Sequence, residues 1–249
     1  VSGTVDEMLR HAISKISHIH LVSNKIAKKR LIQMGENKNN IHVVGSPDVD
    51  VILSKKLPPL QKVKKRYNFN FKKYSLGVLH PVTTNTKNLK REAQLFFSTL
   101  AKTKLNYILV YPNNDLGSDI ILKELLKFKK YDKFRIFPSI RFEYYLTLLK
   151  NSTFVIGNSS SGIMEAPYYG VSTINLGTRQ NKRADIKSVN NVNFNKNKIK
   201  SAISKYVSKK KFHKPFYFGK GDSFKKFVKV LNKKKIWSIS SQKYFEEIN

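Results

Sequence analysis

Three hydroxyl side chains in a row, Ser159, Ser160 and Ser161, follow the apolar run Thr153–Ile156, with Gly162 next and Glu165 three residues on. If a helix starts there, its unbonded backbone N–H groups and the positive end of its dipole make an anion site. Serine hydroxyls add donors, and glycine permits close backbone approach. Glu165 stands where an acid can accept hydrogen bonds from sugar hydroxyls, as acidic residues do for ribose in other α/β proteins. The other reading is a serine N-cap with Glu165 favourable to the dipole. Three serines exceed what one cap needs, which favours a phosphate cradle.

Other candidates also close apolar runs. His80 ends Ser75–Leu79, and Pro81 stops that run from continuing as a strand. Such a histidine binds phosphate, works as an acid or base, or is merely structural. Asn114 and Asp115 follow Asn106–Tyr111, as ligand contacts or as caps of the next helix. Arg179 and Arg183 follow Val171–Leu176, where planar donors would meet phosphate or form a solvated cluster. Tyr145 lies in an aromatic run that stacks on a base or packs in the core. Glu7 and Arg10, one helical turn apart, read as a helix ion pair unless another carboxylate faces them. His18 and His20 share one face of a short strand, but with no acid at ligand spacing no metal site is expected.

The elements that would hold these residues alternate. Thr4–Ser17 has helical apolar spacing, with Thr4 and Glu7 fitting a capping box. A strand at Ile19–Val22, a helix over Asn24–Met34 and a strand at Ile41–Val44 follow, and Lys55–Lys73 reads as a linker plus a short helix. The five apolar runs from Ser75 on, the third being Phe134–Phe137, are separated by helical stretches at Lys90–Lys102, Ile120–Phe128, Glu143–Leu149 and Ile163–Tyr169. That order predicts an α/β fold with a doubly wound parallel sheet, whose ligands bind beyond the carboxyl ends of the strands. From Asn195 the tail reads as two or three Lys-rich amphipathic helices.

Composition excludes several classes. The 249 residues suffice for one large or two small domains, and zero cysteines rules out disulfides, a thiol nucleophile and thiolate metal sites. No stretch approaches the roughly eighteen apolar residues of a membrane span. The net charge of +32 comes from 48 Lys and Arg, but only eight are Arg. Nucleic-acid surfaces lean on Arg and on aromatics placed for stacking, so compositional drift is favoured over a polyanion role.

Taken together, these motifs resemble the hydrolysing UDP-N-acetylglucosamine 2-epimerases of sialic and legionaminic acid synthesis. The resemblance runs from Val1 to about Phe245. Its anchors include Val1-Ser2-Gly3-Thr4-Val5-Asp6-Glu7 with Arg10, Gly45-Ser46-Pro47 with Asp50, His80-Pro81, Asn113 to Asp115, Asn158 to Pro167, Gly177 to Gln180 with Arg183, and Gln242-Lys243. It implies a Rossmann-like, two-lobed architecture of the glycosyltransferase-B type with a UDP-sugar between the lobes. Glu7 then matches a cleft carboxylate, His80 a histidine near sugar and diphosphate, Ser159 and Ser160 the diphosphate positions, and Glu165 the acid on the ribose. Arg183 matches a basic residue near the phosphates, and Tyr145 loosely an aromatic near the uracil. No cofactor or metal is implied, nor a specific nucleic-acid or membrane partner. A cytoplasmic homodimer or higher oligomer is expected.

Members of that family carry most of an N-terminal lobe ahead of the Val-Ser-Gly-Thr segment. Residues 1–37 are therefore expected to be the remnant of that lobe, 38–225 the nucleotide lobe, and 226–249 helices packing back toward the missing part. Such a fragment would bind UDP weakly and turn over nothing by itself. Three rivals stand beside this reading: a UDP-sugar glycosyltransferase, which needs an acceptor; a non-hydrolysing epimerase, which returns a UDP-linked sugar; and a basic nucleic-acid-binding module, with salt-steep binding.

Overall fold

The computed structural model describes residues 5–83, 87–180, 183–208, 212, 216–244 and 246–247, without the side chains of Val5 and Asp6. Thr4 of the expected capping box lies outside these, as do residues 1–3 of the first anchor and residue 245. In chain order the elements are α1 (Val5–Ile16), β1 (His20–Val22), α2 (Lys25–Gln33), β2 (Ile41–Val43), α3 (Pro47–Ile52) and α4 (Leu60–Arg66). Next come β3 (Ser75–Val78), α5 (Leu89–Ala101), β4 (Tyr107–Val110), α6 (Ser118–Leu126), β5 (Phe134–Phe137), α7 (Phe142–Lys150), β6 (Phe154–Gly157) and α8 (Ser161–Met164). The chain ends with β7 (Ser172–Leu176), β8 (Val189–Val192), α9 (Lys196–Val207), α10 (Ser223–Leu231) and α11 (Lys234–Trp237).

These elements form two compact units, one built on Lys56–Pro215, the other on Asp6–Lys55 together with Phe216–Asn249. The larger holds a six-stranded, all-parallel sheet in the order β5-β4-β3-β6-β7-β8. Counted from its own first strand this is 3-2-1-4-5-6, the doubly wound Rossmann order. Phe154, Val155 and Ile156 are buried, as strands covered on both faces by helices require. Phe96, Leu100, Tyr107, Leu109 and Ile174 are in the core cluster between sheet and helices.

The smaller unit is built around the parallel pair β1–β2, register His20 to Ile41. Its two chain segments meet where Ser46 N–H donates to Phe218 O at 2.8 Å. Gly45 (φ +94°) and Gly219 (φ +131°) face each other there, and a Cβ on Gly219 would fall 3.2 Å from the Gly45 Cα. Asp50, on α3, accepts from Ser223 N (3.0 Å), Ser223 Oγ (2.9 Å) and Phe224 N (3.0 Å), and so caps the start of α10. Val44, Val230 and Ile236 pack together beneath.

Two sequence expectations change, and two elements were missed. Residues 38–55 and 216–225 group with the smaller unit, because β2 pairs with β1 and Asp50 caps α10; the boundaries fall at Lys55 and Pro215 instead of 37 and 225. Ile163–Tyr169 is no continuous helix: α8 has four residues and gives way to a 3-10 turn at Ala166–Tyr169, because Pro167 lacks the N–H that the next helical bond needs. The elements α3 and β8 carried no periodic signal, the first for want of length, the second because Asn190 and Asn191 fill its centre.

Candidate functional site

In the 3-2-1-4-5-6 order the switch point lies between β3 and β6, and His80 and Asn158 follow those two strands there. Asn158, 1% exposed, clamps the His80 peptide: its Oδ1 accepts from His80 N at 2.7 Å and its Nδ2 donates to His80 O at 2.8 Å. The strands approach closely enough that a Cβ on Gly157 would lie 1.9 Å from Val78 O, so only glycine fits. The Asn158 carbonyl accepts from Arg179 (3.2 Å) and from Gln180 Nε2 (3.0 Å), and Gln180 Oε1 accepts from Arg183 at 2.9 Å. His80, Asn158, Arg179, Gln180 and Arg183 thus form one connected network. Arg179 also lies 3.9 Å from the Asp115 carboxylate.

Asn113 completes the histidine's surroundings. Its backbone N–H donates to His80 Nδ1 at 3.0 Å, which needs a neutral ring protonated on Nε2. Its Oδ1, 3.1 Å from the same nitrogen, would favour the charged ring. Burial decides, helped by the charge of Arg179: against the pull of Asn113 and Asp115, the imidazole is held down to about 4. His80 is therefore a neutral hydrogen-bond donor near neutral pH.

The serine turn is wired differently from expectation. Ser161 is buried, its hydroxyl 2.6 Å from Tyr145 Oη and donating to Ser159 Oγ at 3.1 Å. Burial raises the Tyr145 phenol, the Ser161 hydrogen bond lowers it, and the Glu165 carboxylate raises it further. Glu165 is also close enough to raise Tyr169. Tyr145, Ser161, Ser159 and Glu165 therefore lie together. Ser160 makes no side-chain cap bond, so the N-cap reading fails at that residue. The Ser161 N–H donates to Ser159 Oγ at 3.3 Å and the Gly162 N–H to Ser159 O at 3.2 Å, and the four residues of α8 sum to little dipole. Ser159 and Ser160 hydroxyls, half-exposed, are what the turn offers a ligand. Gly162 spends its missing side chain on the sheet: a Cβ would meet Thr173 Cγ2 at 2.5 Å.

Two further placements differ. Asn114 is exposed, and its neighbours Asn113 and Asp115 join the network; α6 begins after Gly117 without a side-chain cap, so the capping role does not fall to Asn114. Glu7 and Arg10 are on α1, in the smaller unit; Glu7 Oε1 meets His11 Nε2 at 3.2 Å, not Arg10, which is exposed. Sequence reasoning gave no role to Asn158, Asn113 or Gln180. Their signal was position alone: Asn158 directly follows β6, and Asn113 and Gln180 lie in the loops after β4 and β7. A cavity of about 560 Å³ lined by Arg91, Glu92, Thr178 and Phe194, among others, opens beside the arginine loop; of the residues singled out from the sequence only the anchor residues Gly177 and Thr178 line it. Among the described residues no group of three or more His, Asp or Glu could hold a metal ion, and no helix is long and apolar enough to cross a membrane.

Fold and site define a Rossmann-type α/β protein with a polar, arginine-bearing switch point. The UDP-N-acetylglucosamine 2-epimerase family profile matches residues 1–232. A UDP-N-acetylglucosamine 2-epimerase of Neisseria meningitidis serogroup B is 46% identical over 252 residues, covering 100% of this chain and 67% of the relative. A UDP-N,N'-diacetylbacillosamine 2-epimerase (hydrolyzing) of Legionella pneumophila is 34% identical over 231 residues, covering 92% of this chain and 61% of the relative. The structure of the Methanocaldococcus jannaschii UDP-GlcNAc 2-epimerase in complex with UDP-GlcNAc and UDP shares the fold, at a TM-score of 0.70 and 24% identity over 86% of this chain and 61% of that one. The chain belongs to the UDP-N-acetylglucosamine 2-epimerase family and spans about two thirds of these relatives.

Proposed function

We infer that the full gene product is a hydrolysing 2-epimerase, converting a UDP-N-acetylhexosamine to the free 2-epimeric sugar and UDP. The observation that carries this is the switch-point network of His80, Asn158, Arg179 and Arg183 beside the Tyr145, Ser159 and Glu165 cluster. Two guanidinium groups and a neutral imidazole N–H suit a departing diphosphate, and Ser159 and Ser160 donate to the same group. Glu165 accepts from the ribose hydroxyls, and Tyr145 both orders the serine turn and borders the base. The hydrolysing branch is supported by the Legionella relative's name and by that of a second relative, a GDP/UDP-N,N'-diacetylbacillosamine 2-epimerase (hydrolyzing) from Campylobacter jejuni, 32% identical over 211 residues.

Chemistry begins at C2, whose proton is weakly acidic beside the anomeric centre. A carboxylate, for which Glu7 with Arg10 nearby is the candidate, takes that proton. The C2–H electron pair forms the C1=C2 bond, and the C1–O bond breaks with its electrons on the UDP β-phosphate oxygen. Water then adds across the glycal, hydroxyl to C1 and a proton to C2 from the opposite face. His80, holding its proton on Nε2, donates a hydrogen bond to the leaving oxygen instead of acting as the base.

Incubating the full gene product with UDP-N-acetylglucosamine alone in D2O tests this. The expected products are UDP and free N-acetylmannosamine carrying deuterium at C2. A UDP-linked epimer would make it a non-hydrolysing enzyme, and an untouched substrate that turns over only with an acceptor would make it a glycosyltransferase.

A further inference from the structure

The smaller unit contains a buried carboxylate that the reaction does not use. Glu36, 3% exposed, follows α2 and takes three cationic or imidazole partners: Lys15 at 2.9 Å, His20 at 2.9 Å and Lys243 at 2.6 Å. Lys15 is in the last turn of α1 and also donates to Met34 O at 2.9 Å. Lys243 Nζ lies 3.1 Å from Ser14 O, 2.8 Å from Lys15 O and 2.7 Å from Ser17 O. These are carbonyls at the end of α1, where helical partners run out and the dipole is negative. One ammonium from the far end of the chain thus closes the C-terminus of α1, and Glu36 holds that ammonium in place. His18 adds a contact with the same C-terminal segment, through Ser241 O at 2.9 Å.

We propose that Lys243 and Glu36 are positioning residues that aim α1, and with it Glu7 and Arg10, for proton abstraction; this rests on the epimerase reading above. Glu7 lies seven residues before Ser14, a lever of about 10 Å at 1.5 Å per residue, so a pivot of about 6° at the anchored end moves its carboxylate by about 1 Å. A misplacement of that size costs on the order of 100-fold in rate without touching ground-state binding. The lysine shares three N–H groups among three carbonyls and the Glu36 carboxylate, so an apolar replacement frees the carbonyls and leaves Glu36 only Lys15 and His20.

The test compares Lys243→Met and Lys243→Arg in the full gene product. In the Met variant kcat is expected to fall about 10- to 100-fold with KM within twofold, and amide exchange to speed up about tenfold or more in the last turn of α1. Exchange in β3, β4 and β6 should stay as it was, and the Arg variant should recover most of both losses. Unchanged kcat, or a loss of protection spread evenly over β1, β2 and α2, would overturn the proposal, the latter by marking a fold-maintaining lysine only. Glu36→Gln, which keeps the shape and removes the charge, should reproduce the Met variant and decides the matter if that variant does not fold. A wild-type protein without turnover would sink the epimerase reading instead, and unaltered α1 exchange in the variants would then sink the anchor separately.

Discussion

Two effects keep His80 uncharged and act in the same direction: burial strips water from the cation, and the Arg179 guanidinium repels it. The ring titrates near 4, so in an NMR titration its carbon-bound protons should shift around that pH; an inflection between 6 and 7 would remove the neutral-donor role. The sign for stability follows. An unfolded histidine binds its proton below about 6.5 and the folded one only below about 4, so stability falls as pH drops through that window, by about 3 kcal/mol in all. Asn158 shows why residue types were easier to read than roles. The sequence advertised serines and arginines, whose chemistry is overt. The hub is an amide whose value lies in reaching the His80 peptide across 78 residues, which no local pattern encodes.

At the scale of elements, the strands of the larger unit were legible because burial on both faces leaves a continuous apolar run, as in Phe154-Val155-Ile156. The edge strand β8 has no such run, and α3 is too short to show a period. The order 3-2-1-4-5-6 emerges only from pairing, since the same alternation of elements is compatible with other orders. The capping of α10 was equally hidden. Asp222, the residue before that helix, makes no side-chain cap bond, and Asp50 does the work from 173 residues away. Replacing Asp50 with Ala should cost about 1–2 kcal/mol of the smaller unit's stability, read as a lower urea midpoint for probes on α10. Burial would raise this carboxyl, but the N–H groups of Phe224 and Ser223 and the Ser223 hydroxyl outweigh it and hold it below the ordinary value. Its contribution is complete above the unfolded carboxylate range and fades as pH falls through the folded one.

At the scale of the whole molecule, the proposed reaction divides its tasks. The residues suited to diphosphate and ribose lie in the larger unit, and the candidate base is on α1 in the smaller. The 249-residue chain covers two thirds of the Neisseria relative, so nucleotide binding and turnover are expected to separate. UDP should shift amide signals at Ser159, Ser160 and the arginine loop with weak affinity, while incubation with the UDP-sugar gives no product. Signals that stay fixed at the serine turn while others move would refute the cradle, and measurable turnover would refute the division. The net charge of +32 adds long-range attraction for any polyanion, so both measurements belong at near-physiological salt.

The smaller unit is discontinuous, its halves lying on either side of Lys56–Pro215. On a translating ribosome its first half emerges before Lys56–Pro215 and must wait for its second. At about 5–20 residues per second that delay is on the order of ten seconds, long enough for the intervening Rossmann sheet to form. The Asp50 cap and the Glu36–Lys243 pair, each joining the two halves, can close only after the segment beyond Pro215 has been made. A nascent chain stalled before Phe216 would therefore present a finished Rossmann sheet while α1 is still unclosed.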